Sequence, residues 1–365
     1  MKLRKDKWRT IPLGKICKLE YGNNLTDKMR KGGSVPVYGS AGIVGWHDSP
    51  LTKSPTLIVG RKGSVGNVFY SEIPCFPIDT TYYVEETLCN ENLRWLELFL
   101  SNFNLRQLNM ATAVPGLNRN IAHLIQIPLP PLSEQKQIAS LFQSIEMAME
   151  QVDGQEKNLK ALQKSLINGL LSKEPEFGNL LNNKNCTPTT FGEIAECDKK
   201  YPEHENEVSR FVGLEFIEAE NFQLQGWGVI ADGTTFSKRF SKGDVLFGKR
   251  RAYLKKVAVA DFDGICSGDI LVIRAKAKKM LQGLLPYYIS SDAFIQHAVS
   301  TSAGSLSPRT KWKDLAEMEV SIPDIKIQEK ILEVLQQLEK TVNQLKHQKT
   351  TLKYLKQKLL NEILG

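Results

Sequence analysis

The sequence has no long apolar run. None of its segments approaches the roughly 20 consecutive apolar residues that a membrane-spanning helix needs. The N-terminal residues 1–10 are basic, but no apolar stretch follows them, so we expect no secretory signal. The sequence therefore predicts a cytoplasmic protein with no membrane partner.

The few cysteines do not form a metal-binding pattern. Six occur among 365 residues, without a CxxC pair or a Cys/His spacing suited to zinc. We expect them to be reduced thiols, and we expect no metal site. They are Cys17, Cys75, Cys89, Cys186, Cys197 and Cys266.

Catalytic motifs are missing as well. The sequence has neither the Asn/Asp-Pro-Pro-aromatic motif of an amino-methyltransferase nor a Gly-rich strand-to-helix turn for S-adenosylmethionine. The segment 243–250 resembles a nucleotide-binding loop, but Arg250 stands where a Mg²⁺-binding Ser or Thr should follow Lys249. Asp79, Glu85 and Glu86 lack the nearby lysine that a nuclease centre needs. We therefore predict no catalytic centre and no cofactor in this chain.

The charge balance is basic. The chain has 48 Lys and Arg against 40 Asp and Glu, which gives a formal net charge of +8. An excess of this sign suits a polyanionic partner such as nucleic acid, although many basic proteins bind none. The location of the cations therefore matters more than their number.

The strongest positive signal is an internal repeat at an offset of roughly 190 residues. Gly60-Arg61-Lys62 aligns with Gly248-Lys249-Arg250, and an apolar, strand-like run precedes each triplet. Asp79 aligns with Asp269, and a second apolar run follows each aspartate. The repeat predicts two similar domains, each followed by a helix. The halves also match at their starts and ends, as Leu13–Ile16 with Phe191–Ile194, Ile127-Pro128 with Ile322-Pro323, and Gln135 with Gln328.

Each half closes with a heptad-like apolar stripe. We predict helices over residues 133–173 and 323–365, with Ser133 as the N-cap of the first. Two matched stripes favour an antiparallel coiled coil, and the alternative is that each helix lies on its own domain. Glu156 and Lys349 interrupt the stripes, where they form either cross-helix charge pairs or a solvated flank. The stripes are Ile138, Phe142, Ile145, Met149, Val152, Leu159, Leu162 and Leu166, and Ile331, Leu335, Leu338, Val342, Leu345, Leu352, Leu355 and Leu359.

The remaining segments read as two globular domains of the α+β class. They show short apolar runs that Gly and turn residues interrupt, together with helical patches at 92–108 and 279–300. Segment 174–187 is rich in Asn, Gly and Pro, which is typical of a linker. The predicted organisation is domain 1 (1–132), spacer helix 1 (133–173), a linker (174–187), domain 2 (188–322) and spacer helix 2 (323–365).

Two basic loops in each half are candidate DNA-binding elements. Segment 249–256 packs five cations around one tyrosine, and its counterpart 61–64 is shorter and glycine-containing. Segments 112–120 and 302–312 interleave amides and hydroxyls with arginine, a mixture that suits reading of base edges. The alternative for any single residue is a solvated basic turn. The candidate DNA-binding residues are Arg61, Lys62, Ser64, Asn118, Arg119, Lys249, Arg250, Arg251, Tyr253, Lys255, Ser307, Arg309 and Lys311.

Four segments together resemble the specificity subunits of Type I restriction-modification systems. They are Ile127–Gln135 (IPLPPLSEQ), Val37–Gly45 (VYGSAGIVG), Leu57–Gly66 (LIVGRKGSVG) and Lys242–Arg250 (KGDVLFGKR). The resemblance covers essentially the whole chain. The second helix departs from it, because Pro323–Gln328 lacks the proline-rich start and its Glu-Gln pair.

This resemblance implies two target-recognition domains, each of which reads one half of a split sequence in double-stranded DNA. It also implies two conserved spacer helices that dock two adenine methyltransferase subunits, with S-adenosylmethionine bound by those partners. Motor-nuclease restriction subunits would complete the complex.

Two other functions remain as alternatives from the residues alone. A coiled-coil adaptor whose domains bind protein would not need the paired basic loops. A self-contained nuclease or methyltransferase would need the motifs that are missing. An adenine methyltransferase gene beside this one would favour the specificity subunit.

Overall fold

The chain divides into two units. The computed structural model of the protein describes residues 3–108, 116–171, 174–181, 185–197 and 208–365. One unit comprises Met1–Asp153 with His347–Gly365, and the other comprises Gly154–Lys346. Each unit therefore combines a globular domain with parts of two long helices. Among the described residues, no helix is both long and apolar enough to cross a membrane.

The first unit is a mixed α+β domain. Its elements are β1 (Arg9–Pro12), α1 (Leu13–Ile16), β2 (Glu20–Tyr21), β3 (Val35–Gly39), β4 (Gly42–His47), β5 (Thr56–Gly60), β6 (Val68–Ser71), β7 (Phe76–Pro77), β8 (Thr81–Glu85), α2 (Leu93–Asn102), α3 (Arg119–His123), β9 (Gln126–Leu129), the first part of α4 (Leu132–Leu170) and the last part of α9 (Ile325–Leu364). The sheets have the strand orders β2-β8-β5-β6, β4-β3-β7 and β1-β9. All five residues of β5 are buried, because this strand lies inside its sheet between β8 and β6.

The second unit repeats this plan. Its elements are the rest of α4, then β10 (Cys186–Thr190), α5 (Phe191–Ile194), β11 (Ala195–Cys197), β12 (Arg210–Val212), β13 (Gly228–Val229), β14 (Lys238–Phe240), β15 (Val245–Gly248), β16 (Val257–Val259), β17 (Gly264–Cys266), β18 (Ile270–Ala275), α6 (Leu285–Ser290), α7 (Asp292–Ser300), α8 (Trp312–Ala316), β19 (Glu319–Pro323) and the first part of α9 (Ile325–Leu364). The sheets have the orders β11-β18-β15-β16, β13-β12-β17-β14 and β10-β19. The internal strand β15 is the counterpart of β5.

The strand registers correct one alignment made from the sequence. Gly60 pairs with Thr81 in the first unit, and Gly248 pairs with Ile270 in the second. Counting back one residue from each strand start, Asp269 corresponds to Thr80 and not to Asp79. The aspartates align by residue type, but the hydrogen-bonded backbone sets the true correspondence. The predicted strands at 57–59, 82–84, 245–247 and 270–273 are all present.

The predicted antiparallel pairing of the two long helices is confirmed. In the first unit, Lys356 Nζ of α9 donates to Glu146 Oε1 of α4 at 2.7 Å, and Lys349 Nζ lies 2.6 Å from Asp153 Oδ1. Partners therefore run in opposite directions along the two helices. Apolar side chains from both helices join the core of each domain. In the first unit they are Ile138, Phe142, Ile145, Leu360, Ile363 and Leu364, and in the second they are Leu170, Ile331 and Leu335.

The structure decides the roles of Glu156 and Lys349, which the sequence left open, and corrects the predicted N-cap of α4. Lys349 forms a cross-helix ion pair, whereas Glu156 pairs with Lys160 on its own helix. The expectation that Ser133 caps α4 is wrong, because the helix already begins at Leu132. The carbonyl of Pro131 accepts from the amides of residues 134 and 135, at 2.8 and 3.0 Å, so Pro131 occupies the position of the cap.

A buried glutamine fastens the start of each long helix to its domain. Gln135 Oε1 accepts from the amide of Asn92 at 2.9 Å, and its Nε2 donates to the carbonyl of Pro130 at 2.9 Å. Gln328 makes the equivalent bonds in the second unit, with the amide of Leu281 and the carbonyl of Pro323. Both glutamines are 0% exposed. Since a buried polar group without partners is costly, these side chains select one docking geometry for each helix.

We predict that Gln135→Ala lowers the free energy of unfolding of the first unit by about 1–3 kcal/mol, because buried backbone groups lose their partners. Urea denaturation measures the change. The control is Gln137→Ala, since Gln137 is exposed on the same helical turn. Equal stability of the two variants would contradict this role for Gln135.

Candidate nucleic-acid interface

The structure joins the two candidate loops of each half. In the first unit, the amide of Leu117 donates to the carbonyl of Arg61 at 2.8 Å. In the second, the amide of Thr310 donates to the carbonyl of Lys249 at 3.1 Å. We call residues 60–66 with 116–120 the first loop pair, and residues 248–256 with 302–312 the second loop pair. Residues 112–115 of the predicted loop 112–120 lie outside the described residues.

Glycines allow the tight turn in the first loop pair. A Cβ on Gly60 would lie 2.4 Å from the carbonyl oxygen of Ser64, so only glycine fits at the end of β5. Gly63 and Gly66 adopt positive φ values of 76° and 79°, which favour glycine. This turn places Arg61, Lys62 and Ser64 at the end of a buried strand. The Lys62 side chain is exposed, and those of Arg61 and Ser64 are half-buried.

Aromatic rings orient the arginines of the first loop pair. The guanidinium carbons of Arg61 and Arg119 lie 5.0 and 4.9 Å from the centroid of the Tyr21 ring, within the range of cation–π attraction. Tyr82 packs beside Tyr21 with ring centroids 5.1 Å apart, and its hydroxyl donates to the carbonyl of Leu117 at 2.9 Å. Burial raises the pKa of Tyr82 to about 12, so this hydroxyl keeps its proton at neutral pH. The ring pair therefore ties the side chains of both loops together.

Asn118 is exposed, and it also caps the helix α3. Its Oδ1 accepts from the amides of Asn120 and Ile121, at 2.8 and 3.3 Å, so it is the N-cap of α3. This cap fixes the backbone from which Arg119 projects.

The second loop pair contains a strained turn. Arg251 and Lys255 adopt left-handed backbone conformations with φ values of 53° and 50°, and each costs roughly 1–2 kcal/mol. Between them, Tyr253 is 53% exposed at the turn. The amide of Arg251 donates to the carbonyl of Pro308 at 2.8 Å, which holds this turn against the neighbouring loop. Strain of this kind is typical of functional loops that the surrounding structure supports.

Lys255 is an ion-pair partner within the fold. Its ammonium contacts Asp292 at the start of α7, and this hydrogen bond is the main reason that the pKa of Asp292 lies below its usual value. Asn168 of α4 donates to the same carboxylate at 2.7 Å and accepts from the Asp292 amide at 2.9 Å. A chain of contacts therefore links α4 to the second loop pair.

Two arginines of the second loop pair, Arg309 and Arg250, lie against the carboxylate of Asp269. Asp269 accepts two hydrogen bonds from Arg309, and the Arg309 bond is the largest cause of its lowered pKa. Arg250 donates to the hydroxyl of Ser307 through Nε and Nη2, at 3.3 and 3.0 Å. Lys249 is half-buried at the end of β15, and Lys311 is exposed directly before α8.

Sequence reasoning missed three residues of these clusters: Tyr21, Asp269 and Asp292. Tyr21 and Asp292 are distant along the chain from the residues that they contact, so no local pattern identifies them. Asp269 was aligned in the repeat, but a carboxylate is not an obvious member of a DNA-binding site. Asp269 lies directly before β18, a strand that the repeat predicts, and this position could have identified it from the sequence.

Comparisons with known proteins identify the family. The model of the Type I restriction modification DNA specificity domain matches residues 5–161 and 183–354. The EcoDI specificity subunit of Escherichia coli is 25% identical over 366 residues, which cover 91% of this chain and 81% of that relative. The MjaVIII specificity subunit of Methanocaldococcus jannaschii is 22% identical, over 71% of this chain and 66% of that relative.

The fold agrees with these matches. The S subunit of a Type I system from M. genitalium superposes with a TM-score of 0.63 at 16% identity, over 99% of this chain and 97% of that one. The chain belongs to the specificity subunits of Type I restriction-modification systems, with two specificity domains in tandem. It is a non-catalytic, DNA-binding component of such a complex. The adaptor and enzyme alternatives are not supported.

We predict that Tyr21→Ala weakens binding of target DNA by about three- to tenfold, because Arg61 and Arg119 lose the ring that orients them. Tyr21→Phe keeps the ring and should bind nearly as the wild type does. Titration of a labelled target duplex measures both affinities. A loss as large for Tyr21→Phe as for Tyr21→Ala would show that the hydroxyl, and not the ring, is responsible.

Proposed function

We propose that this chain reads a bipartite DNA target, with each loop pair contacting one half-site. The observation that supports this best is the duplicated loop pair itself. Both units place cations at the end of a buried strand and join that turn by a backbone hydrogen bond to a loop that precedes a short helix. A rigid support of this kind reduces the entropy lost when side chains engage DNA.

Within each loop pair, we propose a division of labour between phosphate and base contacts. Lys62 and Lys311 are exposed cations, which suit phosphates. Arginines held by neighbouring side chains suit base edges, because their planar forks can contact guanine at two points. The proposed interface comprises Arg61, Lys62, Ser64, Asn118 and Arg119 in the first unit, and Lys249, Arg250, Arg251, Tyr253, Lys255, Ser307, Arg309 and Lys311 in the second.

We propose the partners that the family resemblance implies. Two adenine methyltransferase subunits would dock on α4 and α9 and supply S-adenosylmethionine, while this chain holds no cofactor. Motor-nuclease subunits would complete the complex in the cytoplasm. Exposed apolar residues on the helices support docking, since Met147 is 56% and Tyr354 is 70% exposed.

We also propose the domain limits that the sequence predicts. They are domain 1 (1–132), spacer helix 1 (133–173), a linker (174–187), domain 2 (188–322) and spacer helix 2 (323–365).

The purified chain should bind duplex DNA with a steep salt dependence and transfer no methyl group until a methyltransferase partner is added. Each phosphate contact should contribute a slope of about −0.9 to the plot of log affinity against log salt concentration. Filter binding at several salt concentrations and incorporation of labelled methyl groups measure the two properties. Binding that is insensitive to salt would contradict the proposed phosphate contacts, and methyl transfer by the chain alone would contradict its non-catalytic role.

A further inference from the structure

Asp269 is a carboxylate fixed at the base of the second loop pair. Its backbone carbonyl accepts from the amide of Lys249 at 2.9 Å, and its own amide donates to Ser267 Oγ at 3.2 Å. The side chain is 21% exposed. Its backbone is therefore held from both sides, and its carboxylate points into a group of cations.

Arg309 is held against this carboxylate at two points. Arg309 Nε donates to Oδ1 at 2.7 Å and Nη2 donates to Oδ2 at 3.1 Å. The backbone of Arg309 exchanges two hydrogen bonds of 3.0 Å with Ala303. Because both the backbone and the guanidinium plane are fixed, most of the entropy cost of ordering this long side chain is met before DNA arrives.

The outer edge of this guanidinium stays accessible. A third bond runs from Nη1 to the carbonyl of Ser307 at 3.3 Å, and the Arg309 side chain is 45% exposed. Among the described residues, these bonds use three of the five N–H donors of an arginine, which leaves two. Two donors are what the O6 and N7 atoms of guanine accept in the major groove.

Arg250 is less suited to this task. It shares the Ser307 hydroxyl between Nε and Nη2, and its Nη1 lies 3.7 Å from Asp269 Oδ2. Of these two arginines, it is Arg309 that makes two hydrogen bonds to the Asp269 carboxylate.

The first unit shows that the fold does not require a carboxylate at this position. Its counterpart of Asp269 is Thr80, whose carbonyl makes the same backbone bond, accepting from the Arg61 amide at 2.9 Å. In the first unit, the guanidinium groups of Arg61 and Arg119 pack against the ring of Tyr21 instead. A carboxylate near DNA also repels phosphates, so it weakens binding to every sequence unless it improves the reading of one.

We propose that Asp269 is a specificity-determining positioning residue, which presents Arg309 to a guanine in the half-site read by the second unit. This inference rests on the proposed function of the second loop pair. Beyond that function, the inference names one base that the second unit reads, a guanine, and the residue that controls its recognition, Asp269.

The test uses the chain assembled with its methyltransferase partner, and a target sequence obtained by mapping methylated adenines in host DNA. Competition binding against duplexes with each base pair of both half-sites replaced gives the discrimination at every position. The variants are Asp269→Asn, Arg309→Lys and the double variant. Glu193→Gln is the matched control, since Glu193 forms an exposed ion pair with Lys279 in the same unit, at 2.9 Å.

Asp269→Asn should reduce discrimination at one G·C pair of one half-site by about tenfold, within the range of a bidentate base contact. Binding to unrelated DNA should stay the same or become tighter, because a negative charge is removed. Arg309→Lys should lose discrimination at the same position, since lysine has no planar fork. The double variant should lose no more than either single variant, because the two residues act as a unit. Glu193→Gln should match the wild type.

Three results separate failure of this inference from failure of the proposed function. If the wild-type complex shows no sequence preference, the proposed function is wrong. If it discriminates but Asp269→Asn keeps full discrimination at every position, only the inference is wrong, whatever Arg309→Lys does. Equal weakening by Asp269→Asn of specific and unrelated DNA would also overturn the inference, since it would indicate a general structural role. If Asp269→Asn fails to fold, Asp269→Thr replaces it, since threonine occupies the equivalent position of the first unit as Thr80; full discrimination by this variant would overturn the inference.

Discussion

In each unit, a backbone hydrogen bond at an equivalent position connects the turn after the buried central strand to the loop before a short helix. The Leu117 amide makes it with Arg61, and the Thr310 amide makes it with Lys249. The strand is held on both sides by neighbouring strands, so the sheet fixes the position of the turn that follows the strand. The hydrogen bond then fixes the second loop relative to the same sheet. This connection helps to position the candidate DNA-binding side chains of both loops.

The two loop pairs share this backbone arrangement but use different side-chain supports. Aromatic packing on Tyr21 orients arginines in the first unit, whereas the Asp269 carboxylate does so in the second. A repeated scaffold with different supports suits the proposed recognition of two different short sequences, because the fold is preserved while the proposed reading surface varies. The buried glutamines, Gln135 and Gln328, differ less, since each accepts from a backbone amide and donates to a proline carbonyl at equivalent positions in the two units. Fold-defining contacts are therefore duplicated, and contacts at the reading surface are not.

Much of the architecture could be predicted from the sequence, because it depends on periodic patterns. Apolar runs indicated the central strands, and heptad stripes indicated the antiparallel helices. Predictions that depended on a single residue were less secure. Ser133 is a good capping residue, yet α4 starts one residue earlier, where Pro131 ends the preceding segment. Asp79 matched Asp269 by type, but strand register assigns Thr80 to that place. The side-chain supports were not predictable, because Tyr21 contacts residues that are far from it in sequence.

The proposed function requires that two similar units read two separate half-sites. Single-molecule sequencing of genomic DNA, from a host that expresses this chain with its methyltransferase partner, tests it most directly. The methylated adenines should fall within a motif of two blocks of specified bases, with a stretch of unspecified bases between them. A single uninterrupted block of specified bases would contradict the account.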